Sequence, residues 1–167
     1  LSGNGTSMGG AVIDSGRFDW SANDKFKSLT DPEPAYHGLK FQETFGDMAF
    51  TVHTHAVGLR DLGPTMAPLN AFLTLLGIET LPLRMERHCA NALTVARWLQ
   101  RDPRVAWVRY PGLETDSSFA AAKKYFSGGS GALVTFGAKG GFDAGKKLIN
   151  SVKLFSLLAN IGDSRSL

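Results

Sequence analysis

The sequence contains a single cysteine, Cys89, so no disulfide can close within the chain, and a reducing, cytoplasmic setting is expected. It has no apolar stretch approaching the ~20 residues that a helix needs to cross a bilayer, so no membrane partner is expected. No basic-then-apolar leader stands among its first residues, and no secretory signal is expected there. Charge of one sign is lacking as well: 18 basic side chains stand against 15 acidic ones, a net +3, and the basic ones are scattered. A nucleic-acid binder gathers such charge into a patch or stripe, so no nucleic-acid partner is expected. Internal repeats and low-complexity tracts are absent too. What is present is 43% hydrophobic and 20% charged residues, the balance of a chain that packs a core.

Both ends read as cuts in a longer protein. The chain opens on Leu1, directly into a glycine-rich loop, and closes on Asp163-Ser164-Arg165-Ser166-Leu167 straight after an apolar run. Ends of intact domains are usually polar and loosely held.

Residues 1–10 read as a loop. Ala11-Val12-Ile13 is a short apolar run ended by Asp14-Ser15-Gly16, the pattern of a buried strand. Residues 20–47 are polar, carry Pro32 and Pro34, and read as loop with a short helix near Asn23 to Ser28. Residues 48–60 suit either a helix or an extended arm. Leu69, Phe72, Leu73 and Leu76 recur at i, i+3, i+4 and i+7, a helical face. Gly77 is expected to interrupt it and Pro82 to kink or restart it. Met85, Cys89, Ala92, Ala96 and Leu99 continue a helical stripe until Pro103. The remaining segments alternate. Strands are expected at Val105 to Tyr110, Ala132 to Phe136 and Leu154 to Leu158, and helices at Ser118 to Phe126 and Phe142 to Val152. Such an order implies a small sheet covered by helices, an α/β piece.

Three motifs invite a chemical reading, and each has a plainer one. Gly3-Asn4-Gly5-Thr6-Ser7-Met8-Gly9-Gly10 has the glycine content of a dinucleotide loop but the wrong spacing, and it precedes a strand-like run instead of opening a helix. Gly140-Gly141-Phe142-Asp143-Ala144-Gly145-Lys146-Lys147 nearly spells a phosphate-binding loop. Its last position needs a Ser or Thr hydroxyl for magnesium, and Lys147 has none. A turn followed by a helix with solvated lysines is the favoured reading. His53 and His55 would share a face only in a strand, and zinc asks for three or four protein ligands; no metal is expected. Cys89 lies on an apolar stripe without a positioned base, so it reads as packing rather than as a nucleophile. No catalytic residue set is complete within the chain.

Five longer segments carry a resemblance. They are Leu1-Ser2-Gly3-Asn4-Gly5-Thr6-Ser7-Met8-Gly9-Gly10 with Asp14-Ser15-Gly16-Arg17-Phe18-Asp19-Trp20, then Leu59 to Phe72, then Gly77 to His88, then Val105 to Leu113, and last Asn160-Ile161-Gly162-Asp163-Ser164-Arg165-Ser166-Leu167. In this order, and over the whole length, the chain resembles the O-acetylhomoserine sulfhydrylases. These are a branch of the pyridoxal-phosphate (PLP) enzymes of cysteine and methionine metabolism. Asn4 stands where that branch usually has histidine, and Ala67 where it has serine.

The resemblance implies a fold-type-I PLP-dependent transferase, of which this chain is a fragment. Residues 1–78 would be the end of the large cofactor domain, 79–102 a linker helix, and 103–167 the first part of the small C-terminal domain. It further implies a homotetramer that replaces the acetate of O-acetylhomoserine by sulfide or methanethiol, yielding homocysteine or methionine. The cofactor lysine would lie just before Leu1, so the chain by itself would hold neither PLP nor activity. Ser166 matches the family serine that contacts the substrate carboxylate. Arg165 occupies a position that carries glutamate in several related lyases, which favours the sulfhydrylase branch. An O-succinylhomoserine sulfhydrylase, a cystathionine γ-synthase and a nucleotide-binding module built on Gly140 to Lys147 are the alternatives.

Overall fold

The computed structural model describes residues 2–159 and 161–166. Leu1, Asn160 and Leu167, which belong to the first and last matched segments, lie outside the described residues. The chain divides into two compact units, Gly10–Pro68 on one side and Leu1–Gly9 with Leu69–Leu167 on the other.

The unit Gly10–Pro68 is a succession of short helices: α1 (Lys27–Thr30), α2 (Phe41–Phe45) and α3 (Ala49–His53), the last running on into a π-helical stretch, Thr54–Asp61. Helices this short do not hold by propensity. Aromatic packing holds them instead. Leu29, Phe41 and Ala49 are buried at the centre, flanked by Trp20, Tyr36 and Phe50. The Trp20 ring stacks on Phe50 at 5.3 Å and meets Phe18 and Phe26 edge-on at 4.7 and 5.0 Å, the favoured geometries for such rings. Residues 48–60, open between helix and arm in the sequence, are helical. The strand expected at Ala11 to Ile13 is not formed. Val12 is 80% and Ile13 90% exposed, and no partner strand stands beside them among the described residues. A strand has no hydrogen bonds of its own, so without a neighbour its backbone turns to water.

The other unit is built from α4 (Pro68–Glu79), α5 (Leu81–Arg101), β1 (Val105–Arg109), α6 (Phe119–Tyr125), β2 (Thr135–Ala138) and α7 (Gly141–Ser151). Pro82 sits in the first turn of α5, where a missing N–H costs nothing, so it restarts the helix as its position predicts. Ala92, Ala96 and Leu99 form the buried stripe of α5. Ala92 and Ala96 close the core with Tyr110 and Leu113, against Leu93, Val108 and Val134. The turn out of α5 is locked by Asp102, whose carboxylate accepts from Arg104 Nη2 at 2.7 Å and from Arg104 Nε and backbone N, each at 2.9 Å. These Arg104 hydrogen bonds hold the Asp102 carboxyl down to about 2.

β1 and β2 pair antiparallel, Val108 opposite Phe136 and Arg109 opposite Thr135, and they are the whole of the sheet among the described residues. β2 starts three residues later than its pattern suggests. The strand expected at Leu154 to Leu158 is not formed: the Leu158 amide donates back to the Ser156 carbonyl (3.0 Å), a tight turn that breaks the extended run. Gly77 does not interrupt α4, which continues to Glu79. A mid-helix glycine costs only about 1 kcal/mol relative to alanine.

The apolar face of α4 is not its buried one. Leu69, Phe72, Leu75 and Leu76 are exposed, while Thr74 and Gly77 are buried. A continuous apolar surface of this kind drives association. The 167-residue chain alone should therefore elute above monomer mass in size-exclusion chromatography, and Leu69→Glu with Phe72→Glu should restore the monomer. A wild-type chain that already runs as a monodisperse monomer would contradict this.

Candidate functional site

The buried face of α4 carries the loop of residues 2–9. Asn70, Thr74 and Gly77, spaced i, i+4 and i+7, lie on one side of the helix. Ser7 Oγ donates to the Asn70 carbonyl at 3.2 Å and lies 3.5 Å from Thr74 Oγ1. Ser2 Oγ donates to the Ser7 carbonyl at 2.5 Å and closes the loop on itself. The Ser2 backbone rests directly on Gly77, where any Cβ would collide with it. Gly3 and Gly5 both take left-handed φ values, +73° and +66°, which only glycine adopts without cost.

A second loop, residues 161–166, closes over the first. The Ser164 amide donates to the Gly3 carbonyl at 2.7 Å. Asp163 is buried, accepts from the Arg165 amide at 2.9 Å, and places Oδ2 beside Gly5. Arg84, from the first turn of α5, fills the third side against Gly3. An open cleft of about 500 Å³ runs alongside, bordered by Ile161, Gly162, Arg109, Ser118, Ser130 and Thr135. The segment expected to follow the cofactor lysine and the segment bearing Ser166 therefore meet in space although some 160 residues separate them.

Ser166 lies on this second loop with its side chain exposed and its carbonyl held by the Ser156 amide. In the sequence Arg84 and Asp163 stand only as parts of matched segments, and Gly77 only as an expected interruption of the helix. The signal that could have found them is the glycine inside a helical pattern, which marks a close backbone approach.

The other candidate motifs do not join this place. His53 ends α3 and packs edge-on against Phe41 at 4.8 Å, while His55 lies exposed on the π-helical stretch. No group of three or more metal-ligating side chains is found among the described residues. Gly140, at φ +99°, caps α7, and Lys146 and Lys147 are exposed, a turn and a solvated helix as the plainer reading has it. Cys89 is partly buried with Sγ against Gly129.

Whether the chain could cradle PLP is decided by the same geometry. The cofactor needs an imine-forming lysine, donors for its phosphate and a carboxylate for its ring nitrogen. All nine lysines are exposed, and none lies on either loop. The residues described do not fit the group itself. What they form is a rim: two interlocked loops beside an open cleft.

Gly77→Ala tests this packing. Helix propensity favours alanine by about 1 kcal/mol, while overpacking against backbone costs about 1–3 kcal/mol. The collision should win, so the variant should lower the Tm and expose the loop of residues 2–9 to proteolysis. A raised Tm would show that Ser2 does not rest on α4.

Comparisons with known proteins agree with the geometry. The Cys/Met metabolism PLP-dependent enzyme family matches residues 1–167. The O-acetyl-L-homoserine sulfhydrylase of Leptospira meyeri is 54% identical over 176 residues, covering 100% of this chain and 40% of that protein. The homocysteine synthase of Schizosaccharomyces pombe is 49% identical, covering 100% of this chain and 39% of that protein. A solved structure from Campylobacter jejuni, described as an O-acetylhomoserine (thiol)-lyase with a pyridoxyl-lysine phosphate, superposes with a TM-score of 0.74 at 37% identity. It is matched over 98% of this chain and 41% of its own. The chain thus spans about 40% of the length of these relatives. Its architecture is part of the fold-type-I PLP-dependent transferase fold, and the chain belongs to the Cys/Met metabolism PLP-dependent enzyme family.

Proposed function

We propose that this chain is part of a PLP-dependent γ-replacement enzyme. The whole protein converts O-acetylhomoserine plus sulfide or methanethiol to homocysteine or methionine, releasing acetate. In that protein residues 1–78 complete the large domain, 79–102 form the linker helix and 103–167 begin the small domain. The subunits form a homotetramer in the cytoplasm. The names of the relatives support the substrate and the reaction. The observation that carries the reading is the hydrogen bond from the Ser164 amide to the Gly3 carbonyl, which brings the loop of Ser166 to the segment that follows the expected lysine.

PLP, held by residues outside this chain, supplies the electron sink for the bond cleavage. The part assigned to this chain is substrate orientation. The Ser166 hydroxyl donates a hydrogen bond to a substrate carboxylate oxygen, and the cleft beside the loops admits the amino acid. Neither role requires the chain itself to hold a proton-shuttling group.

The test is the full-length protein, supplied with sulfide and either O-acetyl-L-homoserine or O-succinyl-L-homoserine. Homocysteine and acetate should form in equal amounts, with the acetyl ester strongly preferred. A preference for the succinyl ester would move the protein to the succinyl branch. Absence of any γ-replacement, with PLP bound, would overturn the reading.

A further inference from the structure

We infer that Arg84 is a positioning residue for this reaction, fixing the loop of Ser166 through the turn at Gly3. The inference rests on the function proposed above and names a further residue of the same site.

Arg84 works in two directions. Toward its own helix corner, Nη1 donates to the Gly77 carbonyl at 2.7 Å and to Thr80 Oγ1 at 2.5 Å. Gly77 is among the last residues of α4, where carbonyls have no helical partner, and a cation is doubly favoured there. Those bonds set the direction of the guanidinium. Its other edge then occupies the volume that a side chain at position 3 would need. A Cβ on Gly3 would stand 2.5 Å from Arg84 Cζ and 2.6 Å from Nη2. The Gly3 turn is therefore shaped around the guanidinium.

What Gly3 does next gives the contact its reach. Its carbonyl accepts the Ser164 amide, and Ser166 follows two residues on. Asp163, buried in the same loop, caps the Arg165 amide and keeps the loop from opening between those points. A line of direct contacts thus runs from the α4–α5 corner through Arg84 and Gly3 to the substrate-facing loop. Lysine could not replace arginine here. A point charge on a flexible stem lacks the planar fork that satisfies the corner and fills the Gly3 position together.

The test uses the full-length protein with Arg84→Lys, Gly3→Ala and the double variant. Arg84→Lys should raise the KM for O-acetyl-L-homoserine by about ten-fold while kcat changes less, as expected when an orienting contact is lost. The cofactor absorption band should be retained, and hydrogen exchange in the peptide 161–166 should accelerate. Gly3→Ala strains a left-handed φ in either background, but the collision that it adds disappears with the guanidinium, so the double variant should be less impaired than the sum of the two single ones. Unchanged KM and exchange in Arg84→Lys would overturn the inference. So would fully additive effects, or a loss of the cofactor band together with a collapse of Tm, which would mark Arg84 as a general structural residue. If the wild-type protein does not turn over O-acetylhomoserine at all, the proposed function fails. The exchange rate of the loop then decides alone whether Arg84 holds it.

Discussion

Tyr110→Ala is expected to destabilise the unit containing α5 and the β1–β2 sheet by about 3–5 kcal/mol, the range for removing a buried aromatic side chain. Tyr110 is 1% exposed and, with Phe41, is one of the two largest fully buried side chains among the described residues. It follows β1 directly and packs with Ala92, Ala96 and Leu113. Its hydroxyl donates to the Gly131 carbonyl at 3.0 Å, with the Cys89 carbonyl as a second, longer acceptor at 3.4 Å. Its amide donates to the Asp116 carboxylate at 2.9 Å. One residue thereby joins the helix, the strand and the loop leading to β2. Typical domains are stable by only about 5–15 kcal/mol, so the loss is a large fraction of the total. Tyr110→Phe keeps the ring and should cost only about 0.5–1.5 kcal/mol. Burial pushes the Tyr110 phenol above its ordinary value of 10.0. Folding therefore favours the neutral phenol. That contribution is complete below the ordinary value and is lost as pH rises through the raised one, and Tyr110→Phe should lack this alkaline loss. Urea unfolding followed by tryptophan fluorescence, at neutral pH and above pH 10, measures both effects. A Tyr110→Ala variant as stable as Tyr110→Phe would show that the ring is not the centre of this core.

Ser166→Ala in the full-length protein should lower kcat/KM for O-acetyl-L-homoserine while leaving cofactor absorption intact. Ser166 is exposed on a loop whose backbone is held at both Ser164 and Ser166, so the substitution removes a hydroxyl without disturbing packing. A hydrogen bond to a charged group is worth about 1.5–3 kcal/mol, or roughly 10- to 150-fold in kcat/KM. The Gly77→Ala variant provides the contrast, since it disturbs the neighbouring loop by crowding and should reduce stability as well. Unimpaired turnover by Ser166→Ala would make Ser166 a residue of the loop's structure and remove it from the substrate's surroundings.

Much of the local structure was legible from periodicity. The α5 stripe of Ala92, Ala96 and Leu99, the restart at Pro82 and the helix after Gly140 all follow from spacing and from the backbone limits of proline and glycine. The strands were legible only where a partner exists within the chain. Val105–Arg109 pairs with Thr135–Ala138 and forms, whereas Ala11 to Ile13 and Leu154 to Leu158 carry a similar apolar signal and do not. Strand formation depends on a second segment, and no local pattern reports whether one is within reach.

The same distinction holds for the site. Five matched segments in one order were enough to indicate the family, because side-chain identity at many positions is written in the chain itself. That Asn70, Thr74 and Gly77 bear the first loop, while the apolar face of α4 stays exposed, was decided by tertiary structure. Helical periodicity shows which residues share a face but not which face is covered. The meeting of Gly3 with Ser164, and of Arg84 with Gly3, was likewise settled only in three dimensions. Contacts between segments so far apart depend on how the intervening helices and sheet pack, which no single segment encodes.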